Sequence, residues 1–142
     1  MKTSKEILSK ILISTQIGQA EIKNILKITM GSELRKALEL LLHAYNIIET
    51  ETYAIAEQRG WELKEFDPAK SIFQYYFTRI WVNCRDTDSQ IAHKMITKNM
   101  GMVIHGLKNL HQFHENDPQI AVLAQRHIDC MAAAMKRMTD FL

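Results

Sequence analysis

The sequence predicts an all-α bundle, and its sparse punctuation carries that prediction. The 142 residues hold only 2 prolines and 5 glycines. Both prolines follow an aspartate, at Asp67-Pro68 and Asp117-Pro118. Asp is a strong N-cap, because its carboxylate accepts a hydrogen bond from an otherwise unpaired helix N–H. Pro suits the first helical position, where no donor is needed and φ is already set. Long runs of helix-period sequence without a breaker lie between these stops.

The first helix is expected over residues 5–30. Thr3 and Glu6 form a capping box at its start. Leu8, Ile11, Thr15, Gly18, Ile22 and Ile25 recur by threes and fours and form its seam. Gly18 costs about 1 kcal/mol of helix propensity, so it marks a place where another helix comes close. Gly31-Ser32 separates this helix from a second, expected over residues 33–59 with Gly60 as its stop. The stripe of the second helix is Leu34, Leu38, Leu41, Tyr45, Ile48, Thr52 and Ile55. So short a link makes the two helices antiparallel neighbours.

The segment from Ser71 to Val82 carries five aromatics, and its β-propensity is high. Periodicity decides for a short helix. Ile72, Tyr76 and Ile80 share one row, and Phe73, Phe77 and Trp81 share the next. Thr87 and Gln90 then offer a second capping box for a helix over 88–114, with Ile91, Met95, Ile96, Val103, Leu107 and Leu110 inward. Asp117-Pro118 opens the last helix, expected to reach residue 141. The organisation is a hairpin over 5–59, a crossover over 60–86 with its short helix, and a hairpin over 88–141, all in one domain. Two hairpins with a long middle connection make the ferritin-like up-down four-helix bundle.

Composition excludes several function classes. A net charge of +2, with no basic or acidic run, argues against a nucleic-acid partner. The longest apolar runs fall well short of the roughly 20 residues of a membrane span. The start, Met1-Lys2-Thr3-Ser4-Lys5-Glu6, does not read as a signal peptide. A cytoplasmic or spore coat location is expected. Cys84 and Cys130 form no spaced motif and read as reduced thiols. Two adjacent apolar rows on one short helix exceed what one contact hides. Phe73, Phe77 and Trp81 are therefore expected to form a homodimer interface.

A ferritin-like plan invites a test for a di-iron centre, which needs two Glu and two Glu-x-x-His motifs facing inward. This chain has no Glu-x-x-His, and the expected fourth long segment has no carboxylate between Asp88 and His114. Glu49 lies near mid-helix but is followed three on by Thr52. The residues nearest the mid-bundle seam are Gln19, Thr52, Asn99 and His127, neutral types suited to a buried polar layer and poorly suited to iron. The late histidines are the remaining metal candidates. A hairpin turning near Asn116 sets His105 opposite His127, and His111 lies one turn from His114. Two imidazoles leave a transition metal short of ligands, so no metal and no cofactor is expected. His105-Gly-Leu-Lys108 resembles the His-x-Leu-Lys-Gly pattern of histidine phosphotransfer domains, with Asn109 in place of the final glycine. The six methionines of the second hairpin read as core.

The stretch from Gly31-Ser-Glu-Leu-Arg-Lys-Ala-Leu-Glu39, through Glu49-Thr-Glu-Thr-Tyr53, to Arg59-Gly60-Trp61 resembles the second helix of ferritin-like spore coat proteins of the coat-protein-F type. Asp88-Ser-Gln-Ile-Ala92, Asn99-Met-Gly-Met-Val103 and Leu107 resemble that family's third bundle helix. His127 and Cys130 stand where the family would carry charged residues, so no site is transferred. The resemblance implies a structural or assembly protein without catalysis. The alternatives are a metal-binding, ferroxidase-like protein of the same fold, and a phosphotransfer module using His105.

Overall fold

The computed structural model describes residues 1–67 and 82–142. Its elements are α1 (Ser4–Ile25), α2 (Ser32–Gln58), α3 (Asp88–His111) and α4 (Pro118–Met138), with a terminal 3-10 turn, Thr139–Phe141. There is no strand among the described residues. Phe73, Phe77 and Trp81, with most of the expected aromatic helix, lie outside them. No described helix is long and apolar enough to cross a membrane.

The starts of the helices follow the local caps. Thr3 Oγ1 accepts from the Glu6 N–H while Glu6 accepts from the Thr3 N–H, and Thr87 and Gln90 repeat the exchange. The Asp117 carboxylate accepts from the Ile120 N–H with Pro118 at the first helical position. The ends follow tertiary contacts instead. The first helix stops at Ile25, five residues short of expectation, because the Arg35 guanidinium donates to the carbonyls of Leu26 and Ile28 at 2.8 and 3.3 Å. These donors replace the helical N–H groups that would have continued it. The third helix stops at His111, three residues early, where the Lys2 N–H donates to the Gln112 carbonyl at 2.8 Å.

The contacts at the two ends set the helix directions. At one end Lys2 and Ser4 meet Gln112 and Glu115, and Arg59 meets Asp117. At the other, the Gly31 N–H donates to the Asp88 carboxylate. So α1 and α4 run one way, α2 and α3 the other, and the α2–α3 connection joins opposite ends of the bundle. Two apolar clusters fill the interior. One centres on Ile22, Leu34, Leu38, Leu41, Tyr45, Met95, Met131 and Met135, the other on Ile7, Leu8, Ile48, Ile55, Ile120 and Leu123. Gly18 has the close neighbour its position implied: a Cβ there would stand 2.5 Å from Cε2 of Tyr45.

The four packed faces are unequal. α1 packs on α2, α3 on α4, and α2 on α4, while α1 also reaches across to α4. α1 and α3 hardly touch along their length. Among the described helices α3 packs mainly on α4. Leu107, expected inward, is 37% exposed, in a row with exposed Met100 and Ile104. The expected polar layer is buried: Gln19, Thr52, Asn99 and His127 are all under 9% exposed. It does not act as an inter-helix register device throughout. Thr52 and Asn99 bond to carbonyls of their own helices, and among the described residues only Gln19 of this layer reaches another helix, donating to Asn46 at 3.0 Å.

Candidate functional site

The gap between α1 and α3 is a groove of about 840 Å³. That volume falls within the usual range for small-molecule sites. α1 contributes Ile7, Lys10, Ile11, Ile13, Ser14 and Ile17 to one wall. α3 contributes the other, including His93, Lys94, Lys98, Gly101, Met102, His105, Gly106 and Leu110. The floor is α4, through Ala124, His127 and Ile128. Gly101 and Gly106 keep the α3 wall low. A Cβ at Gly101 would meet nothing within 4 Å, whereas one at Gly106 would stand 3.1 Å from the Ile128 side chain.

His127 is the unusual residue of this floor. It is 5% exposed, its ring lies 6.2 Å from that of Tyr45, and its Nε2 is buried with no hydrogen-bond partner among the described residues. Burial holds the imidazole down to about 4, so it is neutral at pH 7. An unpaired buried polar atom costs about 1–3 kcal/mol, and such exceptions in a native core call for an explanation.

The groove is cationic. Among the described residues its lining holds Lys10, Lys94 and Lys98 with His93 and His105, and no Asp or Glu. Two of these lysines are matched from outside the lining. Lys94 pairs with Asp86 at 2.6 Å, and Lys98 pairs with Glu21, which is 5% exposed. Burial draws the Lys98 ammonium down to about 8, so it stays charged at neutral pH beside that carboxylate. Lys10, half-buried on α1, forms no ion pair among the described residues.

The structure brings together only two of the sequence candidates. His105 and His127 share the groove, as a hairpin turning near Asn116 requires, His105 exposed at its rim and His127 on its floor. His111 and His114 are exposed at the hairpin end. Glu49 stands on α2 near Tyr53, whose hydroxyl is pushed up to about 12 by burial and the Glu65 carboxylate, with a smaller part from Glu49. No three His, Cys, Asp or Glu side chains converge to hold a metal among the described residues. Both cysteines are free, Cys84 exposed and Cys130 half-buried. The seam position of His127 was readable from helical spacing. The Glu21–Lys98 pair was not, because Glu21 reads as an ordinary flank of α1 until α3 is placed beside it.

No protein-family model matches the chain, and no curated protein or solved structure matches it either.

Proposed function

We propose that this chain is a ferritin-like bundle that works by binding rather than by catalysis, and that the α1–α3 groove is where it binds. The buried, unpartnered Nε2 of His127 on the floor of an open groove carries this reading. A residue that only filled the core would be cheaper as an apolar side chain, whereas a binding site tolerates such a local cost. The helix directions and the long second connection support the ferritin-like description. A redox metal is disfavoured by the fate of Glu21, a buried acid already neutralised by the Lys98 ammonium. The spore-coat-like assembly role, the cytoplasmic or coat location and the homodimer through Phe73, Phe77 and Trp81 belong to the same proposal on sequence grounds.

Nile red, a neutral apolar dye, tests the groove. It should brighten and saturate with the wild-type chain and lose that response in Gly101→Leu, whose side chain would enter open space on the α3 wall. Equal brightening in both proteins, or none in either, refutes the groove as a site. Turnover of iron(II) under air with retained stoichiometric iron would refute the non-catalytic reading. Light scattering tests the dimer, and a strict monomer at high concentration refutes it.

A further inference from the structure

The geometry points to a single-chain aliphatic carboxylate, a fatty acid of medium length taken up as a free molecule, as the ligand of the α1–α3 groove. This inference rests on the groove being a binding site and adds the ligand's class.

Three features of the lining select that class. The apolar part is aliphatic: Ile7, Ile11, Ile13 and Ile17 on α1 face Met102 and Leu110 on α3, and the lining contains no Phe, Tyr or Trp among the described residues. A flexible chain fits branched and thioether side chains well. The charge has one sign among the described residues, since lysines and histidines line the groove and no carboxylate does. The sites are not equally free. Lys94 and Lys98 already have carboxylates, so Lys10 is the lysine of the lining left for an incoming anion among the described residues. Lys2 beside Gln112 and Glu21 beside Lys98 fix an antiparallel register that puts Lys10 near the level of His105. One cation matches one carboxylate head better than it matches a phosphate dianion.

The length follows from the α3 wall. From His105, level with Lys10, to Lys94 the helix rises about 16 Å, the span of roughly a dozen extended carbons. A head at Lys10 leaves the tail to lie along the isoleucines, over Ile128 and the His127 ring. That ring then reports occupancy without having to contact the head.

Dodecanoate below its micellar concentration is the probe, titrated by calorimetry with the His127 imidazole followed by NMR. One molecule per chain should bind and shift the His127 resonances. Hexanoate should bind at least about a hundredfold more weakly, because fewer methylenes are buried. Lys10→Met, which keeps the length and loses the charge, should weaken dodecanoate about tenfold or more and spare Nile red. Gly101→Leu should abolish both, and its helix content checks that it folds. Dodecyltrimethylammonium should not compete.

Unsaturable binding, an unmoved His127 signal, or equal affinity in Lys10→Met would overturn the assignment. So would equal competition by the cationic amphiphile, or binding confined to phosphatidylglycerol vesicles. If Nile red enters the groove and dodecanoate does not displace it, the ligand class fails and the groove survives. If neither enters, both fall.

Discussion

Two residues show how little chemistry separates structure from site here. Gly18 is present for its missing methyl. An alanine Cβ would lie 2.5 Å from Cε2 and 3.1 Å from Cδ2 and Cζ of Tyr45, a ring only 1% exposed and therefore unable to swing clear. Gly18→Ala should cost about 1–3 kcal/mol through overpacking, although alanine is the better helix former by about 1 kcal/mol. Gly101→Ala, with open space around it, should instead gain about 0.5–1 kcal/mol. Urea denaturation of both variants reads the two signs, and a gain at Gly18 would mean the Tyr45 contact is not a tight one. His127 makes stability depend on pH. Its folded pKa, near 4, lies below the unfolded value near 6.5. Between these limits the unfolded chain binds a proton that the folded chain refuses, so stability is full above about 6.5 and declines as pH falls toward 4. The contribution is of order 3 kcal/mol at most. His127→Met should lose that slope. Asp117, held down to about 2 mainly by the Arg59 guanidinium, acts below this window and is common to both proteins. Parallel stability–pH curves for wild type and variant would show that His127 is not the titrating group.

At the scale of elements, what was legible in the sequence is what is local. Each capping box spans four residues, and Thr3 with Glu6, Thr87 with Gln90 and Asp117 with Pro118 open their helices as read. The end of α1 is set by Arg35, ten residues beyond Ile25 and on the next helix, so no pattern within α1 could place it. The same holds for the groove. Each helix declares an apolar stripe, but no stripe declares which pair of helices will stand apart. Leu107 reads as core on that stripe and lies 37% exposed, in a row with Met100 and Ile104 that does not line the groove. Glu21 and Lys98 are the one ion pair between α1 and α3 among the described residues, and their energetics is decidable. Removing one partner leaves a buried charge alone, so Lys98→Met should cost about 3–5 kcal/mol. The double variant Glu21→Leu/Lys98→Met should recover most of that loss, since two apolar side chains replace a desolvated pair. A thermodynamic cycle from denaturant unfolding measures the recovery. A Lys98→Met cost below 1 kcal/mol would mean that water reaches the pair and screens it.

For the whole molecule, an open face between α1 and α3 demands that these helices be held elsewhere, and the contacts at the two ends do so. At the end where α1 begins, Ser4 is 5% exposed. Its N–H donates to Glu115 at 2.9 Å, and its hydroxyl lies 2.5 Å from Glu115 and 2.7 Å from Asp117. Asp117 also receives both Arg59 nitrogens, so α1, α2 and the α3–α4 turn meet in one network. At the far end the Gly31 N–H on Asp88 and the Glu21–Lys98 pair tie the other half. Between them α1 is held by α2 on one side and by α4 beneath. A helix fastened in this way should open from its first turns when the nearer clasp is cut. Ser4→Ala removes the hydroxyl but keeps the N–H bond to Glu115 and the helix propensity, so the global fold should persist with a loss of about 1–2 kcal/mol. Native-state hydrogen exchange should then speed up in the first two to three turns of α1, by about tenfold, while α2 and α4 keep their protection. The distribution is what matters. Uniform acceleration over α1, α2, α3 and α4 would mean that α1 has no independent opening and that the groove is as rigid as the core. Acceleration confined to α1 would identify it as the wall that yields when the groove is filled.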